Sequence, residues 1–137
     1  MNIGLGKKRR TILLIDSDPH ARSTLRNALE AADFSVGEAA SDREGERTAL
    51  RIKPDAILAE LMTDRTDFGM TLAERFKAKG STVPYFIVST ASDALMGSIG
   101  LHEIGISGVF LKPVDVAIVI QTLRTRFGVS REGTAHA

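Results

Sequence analysis

Cysteine is absent from all 137 residues. That excludes disulfide bonds, thiolate nucleophiles and Cys-ligated zinc. Tryptophan is absent too, and the other aromatic residues are few: six Phe and one Tyr. They do not interleave with basic residues, so no stacking platform for single-stranded nucleic acid is expected. The histidines, His20, His102 and His136, lie far apart and show no metal-ligand spacing. Charge of one sign is not in excess either. The net charge of +1 gives no general drive toward nucleic acid. No apolar run approaches the roughly 20 residues that span a bilayer. Lys7, Lys8, Arg9 and Arg10 precede an apolar run of only Ile12 to Ile15, too short for the core of a signal peptide. A cytoplasmic location without membrane insertion is expected.

What is present reads as one α/β domain. A length of 137 residues can bury a real core. Residues 1–10 read as a flexible, solvated leader, 11–127 as the domain and 128–137 as a flexible tail. Thr11–Ile15 is a short β-rich run, expected as a buried strand. Asp18-Pro19 then signals a helix start, with Asp18 as N-cap. Leu25, Ala28, Leu29 and Ala32 follow at helical spacing. Phe34–Ala39 is a second, weaker strand. Ser41 with Glu44 forms a capping box for a helix that stops before Lys53-Pro54. Ala56–Leu61 is a third strand, and residues 63–68 form a polar loop. A helix from Met70 to Lys79 ends at Gly80. Val83–Ser89 is a fourth strand. A helix from Ser92 to Ile104 contains Gly97 and Gly100. Gly108–Leu111 is the fifth strand, and Val116–Phe127 the last helix. Such alternation predicts a doubly wound parallel sheet with helices on both faces.

Four of these runs end in a chemically capable side chain: ILLI in Asp16, AILA in Glu60, FIV in Ser89 and VFL in Lys112. In one parallel sheet they meet at its carboxyl edge, where open α/β sheets hold their sites. The segments ILLIDSDP, PDAILAELM, VPYFIVST and GVFLKP, in that order and spacing, resemble a receiver domain of bacterial two-component response regulators. The resemblance covers Thr11 to Phe127. It implies a flavodoxin-like, five-stranded (βα)5 sheet in order 2-1-3-4-5, with the site at the switch point between strands one and three.

The resemblance also implies roles. Asp16 and Ser17 fall on an acidic pair that binds Mg²⁺, and Ser17 is the departure there. Glu60 falls on the phosphoacceptor position, normally an Asp. Ser89 and Lys112 fall on the phosphate-contact positions, with Thr90 a competing hydroxyl. Met62 falls where a backbone carbonyl would face the metal. Pro113 follows Lys112, where a cis peptide is usual. Val109 falls on a switch position that is normally aromatic. Asp18 reads as a helix cap rather than a metal ligand, and Asp55, Asp64 and Asp67 as solvated loop groups.

These departures bear on chemistry. Phosphoryl transfer rests on positioning and on charge stabilisation that Mg²⁺ largely supplies. Ser17 removes one charge from the metal site. Glu60 moves its carboxylate outward by about 1.5 Å, one carbon–carbon bond. Slow phosphorylation or none is expected, with at most weakly bound Mg²⁺ on Asp16, Glu60 and the Met62 carbonyl. The longer Glu60 is expected to reach Lys112 and Ser89 instead. A non-enzymatic signalling module follows, acting on a sensor kinase or an output protein through Ser92–Phe127. A homodimer is compatible with it, and no nucleic-acid partner is expected for this domain alone. The competing reading is a Mg²⁺-dependent phosphotransfer enzyme or hydrolase on the same fold. A nucleotide-binding module ranks lower, because the Asp-Ser-Asp-Pro turn is acidic and would repel phosphates.

Overall fold

The apolar runs do become strands. The computed structural model describes residues 9–60, 72–90 and 106–128. In chain order they form β1 (Thr11–Ile15), α1 (Pro19–Ala31), β2 (Ser35–Ala39), α2 (Asp42–Ile52) and β3 (Ala56–Glu60). These are followed by α3 (Leu72–Ala78), β4 (Tyr85–Ser89), β5 (Gly108–Leu111) and α4 (Val116–Phe127). All pairings are parallel and the strand order is β2-β1-β3-β4-β5, as expected. The expected helix over 92–104 lies outside the described residues.

The runs Ile12–Ile15 of β1, Ala56–Ala59 of β3 and Tyr85–Val88 of β4 are apolar without interruption because both faces of the sheet are covered. Alternate residues serve opposite faces. Ile12, Leu14, Leu58, Phe86 and Val88 join Leu25 and Leu29 of α1 and Val119 and Leu123 of α4 in one cluster. Leu13, Ile15, Ile57, Ala59, Tyr85 and Ile87 join Ala49 of α2 and Leu72 and Ala73 of α3 in the other.

The helix ends follow their expected chemistry. The Asp18 side chain accepts from the His20 amide, with Pro19 in the first turn. Ser41 Oγ accepts from the Glu44 amide at 3.2 Å. Glu44 returns its carboxylate to the Ala40 amide at 2.6 Å, one residue earlier than in the usual box. Lys53 ends α2 in the left-handed conformation (φ 48°), just before Pro54.

Some boundaries differ from expectation. The second strand starts at Ser35, because the Phe34 amide donates to the Leu29 carbonyl and closes α1. The fourth starts at Tyr85, because Pro84 has no N–H and contributes only its carbonyl, to Ile57. The third ends at Glu60, and Leu61 is outside the described residues. Arg9 and Arg10, at the end of the expected leader, are exposed but make contacts with the domain. Arg9 pairs with Asp33 at 3.2 Å, and the Arg10 carbonyl accepts from Ser35 while its guanidinium lies 4.8 Å from the Phe127 ring centre. Asp55 is likewise engaged, accepting from the Thr11 amide at 2.7 Å.

Helices α2 and α3 are joined by charge. Glu46 accepts from Arg75 at 2.6 Å and from Lys79 at 2.7 Å. Burial alone would raise its carboxyl, but the bonds from Arg75 and Lys79 outweigh that and hold it below its ordinary value of 4.5. A carboxyl with a depressed folded value stabilises above its unfolded value, and the gain is lost as pH falls through the folded one. Glu46→Gln is therefore expected to cost roughly 1–2 kcal/mol at neutral pH, discounted for the half-exposed lysine. In chemical denaturation the gap between wild type and variant should close below about pH 4.5.

Candidate functional site

The site grows from the carboxyl ends of the strands. Asp16 follows β1, and its amide donates to the Ala39 carbonyl, extending the ladder by one step. Glu60 is the last residue of β3 and Ser89 the last of β4. Lys112 follows β5 and donates its amide to the Ser89 carbonyl at 2.7 Å. The crossovers thus bring Asp16, Glu60 and Lys112 together. Lys112 Nζ lies 3.9 Å from Asp16 Oδ2 and 3.9 Å from Glu60 Oε2. The Lys112–Pro113 peptide is cis.

Ser17 is the partner that sequence reasoning missed. Its amide and its hydroxyl both donate to Glu60 Oε1, at 3.1 and 3.0 Å. The expectation that Glu60 reaches Ser89 is corrected accordingly. The carboxylate turns across the sheet to the β1 loop, and the buried Ser89 hydroxyl donates to the Thr90 carbonyl at 2.9 Å. Side-chain length explains the turn: Glu extends past the strand end far enough to meet an amide and a hydroxyl at once.

A second missed residue stands behind this contact. Arg22 of α1 donates to the Asp16 carbonyl and, at 3.0 Å, to Glu38 on β2. Arg26 also pairs with Glu38, at 3.1 Å. The Asp16–Ser17 peptide is therefore held at both ends. A guanidinium sits on its carbonyl and the Glu60 carboxylate on its N–H. Hydrogen bonds chained in this way polarise one another.

Asp16 is nearly buried, and its Oδ1 accepts from the Asp18 amide at 2.9 Å. Burial pushes its carboxyl above the ordinary value of 3.8. The Asp18 amide opposes that, Glu60 adds to it, and Lys112 opposes it again.

The Mg²⁺ site implied by the resemblance does not fit the described residues. The lysine cation stands against both carboxylates that would ligate the ion. Among the described residues no three acidic or imidazole groups converge to hold a metal. The Met62 carbonyl lies outside them, as do Asp64 and residues 92–105 of the Ser92–Phe127 surface. Val109 is 36% exposed and lies in register with Ile87. The aromatic residue of β5 is its neighbour Phe110, which strand alternation turns to the opposite face. There it stacks on Phe86 with ring centres 5.3 Å apart.

Comparison with known proteins agrees with this architecture. The sequence model of the response regulator receiver domain matches residues 12–124. The chain is 29% identical over 115 residues to the DNA-binding dual master transcriptional regulator RpaA of Synechocystis, covering 82% of this chain and 47% of that protein. It is 26% identical over 124 residues to the transcriptional regulatory protein PrrA of Mycobacterium leprae, covering 90% and 52%. It thus spans about half the length of these curated relatives. Among solved structures it resembles a putative response regulator from Chloroflexus aurantiacus, with a TM-score of 0.76, 24% identity, and coverage of 86% and 97%. It also resembles a chemotaxis response regulator of Vibrio cholerae, with a TM-score of 0.72, 20% identity, and coverage of 86% and 98%. Among the described residues no helix is long and apolar enough to cross a membrane. The family match spans most of the chain and its five strands run in the expected order; this protein belongs to the response regulator receiver domains of two-component signal transduction.

Proposed function

We propose that this receiver is atypical: it is not phosphorylated by the usual aspartyl chemistry and signals constitutively through a protein partner. Glu60 occupies the phosphoacceptor position, and the partner, a sensor kinase or an output protein, docks within Ser92–Phe127. One observation carries the reading. The Glu60 Oε1 atom is engaged by both the N–H and the hydroxyl of Ser17. With Oε1 so held, the whole carboxylate is drawn toward the β1 loop, and small misplacements of an attacking oxygen cost such a step heavily.

The test is intact mass. Native protein incubated with Mg²⁺ and a small acyl phosphate is expected to keep its mass unchanged. A phosphoryl adduct mapped to Glu60 by peptide sequencing would defeat the proposal.

A further inference from the structure

Helix α2 carries a stripe of exposed arginines. Arg43, Arg47 and Arg51 recur every four residues, and Leu50 sits among them. All four side chains are exposed, and Leu50 is 67% exposed, the most of any described large hydrophobic residue. Successive arginines stand about 6 Å apart along the axis. Like charges at this spacing destabilise a helix. Arg43 also lies in the first turn, where the helix dipole disfavours a cation.

The acids of α2 itself are committed elsewhere. Asp42 is buried. Glu44 is bonded to the Ala40 amide. Both oxygens of Glu46 are taken by Arg75 and Lys79 of α3. Among the described residues no ion pair engages Arg43, Arg47 or Arg51. The opposite face of the helix is seated closely on the sheet. A Cβ on Gly45 would lie 2.5 Å from Ile15 Cδ1, so the stripe rides on a rigid support.

We propose that this face of α2 docks an acidic amphipathic helix of a protein partner, with carboxylates on the arginines and an apolar side chain on Leu50. The surface is separate from Ser92–Phe127 and independent of the role assigned to Glu60. Arginine forks pair bidentately with carboxylates. Glutamates four residues apart on a facing helix repeat at the same 6 Å or so as the arginines. Leu50 favours protein over nucleic acid, because a phosphate backbone offers it no apolar contact. The stripe has no aromatic residue on which bases could stack.

The probe is a synthetic helical peptide with three glutamates spaced four residues apart and a leucine among them. Amide NMR shifts of the full chain should move at 43–53 as the peptide is added. Arg47→Glu should weaken binding at least tenfold, and Leu50→Ser several-fold, with Arg9→Glu, an exposed cation ahead of β1 and outside both surfaces, leaving it unchanged. All three substitutions are on exposed positions, and circular dichroism checks their folding. Absence of saturable binding, shifts mapping outside α2, or equal weakening by Arg9→Glu would overturn the proposal. So would binding indifferent to Leu50→Ser. Tighter, Arg47-dependent binding to duplex DNA or to phosphatidylserine vesicles than to the peptide would overturn it in favour of those partners.

Discussion

Replacing Ser17 and Glu60 together by Asp is expected to yield a chain that takes a single phosphoryl group from an acyl phosphate, where the native chain, on the function proposed above, takes none. The two changes act on different obstacles. Ser17→Asp adds a carboxylate beside Asp16 and removes the hydroxyl that donates to Glu60 Oε1. With Asp16 and the new carboxylate on one loop, Mg²⁺ gains the hard anionic ligands it requires. Glu60→Asp draws the remaining carboxylate back by about 1.5 Å, beyond easy reach of the backbone amide at position 17. A carboxylate oxygen is then free to form the bond to phosphorus while the donor's acyl oxygen leaves. Lys112, already 3.9 Å from both native carboxylates, would face the new phosphoryl oxygens. Each single variant removes one obstacle and should be slower than the double variant by on the order of 100-fold. Intact mass over time reads all four proteins. If the double variant binds Mg²⁺ and still gains nothing, the block lies elsewhere than at these two residues. Leu61 onward and the 92–105 segment would then be the places to look.

The parts of this site that were legible in the sequence are those fixed by local chemistry. A buried parallel strand needs an apolar run, and the runs before Asp16, Glu60 and Ser89 are continuous because both faces are covered. Asp18-Pro19 and Ser41 with Glu44 announce helix starts, and both caps form. Strand alternation alone implies that Phe110 cannot share a face with Val109. The illegible parts join residues far apart in the chain. Ser17 meets Glu60 across 43 positions, and nothing in either segment says that a serine will serve a glutamate. Nothing in the sequence around Arg22 sets it apart from the other arginines. Its role depends on where α1 lies over the β1 loop and on an acid arriving from β2. Asp115, which caps α4 by accepting from Ala117 and Ile118, did have a local signal: an Asp one residue before an apolar helix.

The tight seat of α2 on β1 carries the largest expected stability effects. Ile15 is fully buried at the end of β1, immediately before Asp16, and Gly45 lies against it. A Cβ at Gly45 would meet three atoms of Ile15, at 2.5, 3.0 and 3.4 Å. Gly45→Val adds that carbon and two more, in a packed layer that cannot yield without moving the helix. The cost is expected at about 2–3 kcal/mol, the upper part of the overpacking range. It exceeds the roughly 1 kcal/mol that a helix ordinarily gains when it loses a glycine. Ile15→Ala opens a cavity in the same place and should cost about 2–5 kcal/mol. Made together, the two changes fill and vacate the same volume. The double variant should be more stable than the sum of the single effects by at least about 1 kcal/mol. Urea denaturation of the four proteins gives that coupling directly. Simple additivity would mean that α2 shifts off the sheet in the Gly45 variant instead of pressing on Ile15. The same shift would move β1's end and displace Asp16 and Ser17, so the amide resonance of Ser17 should stay put only if the coupling is found.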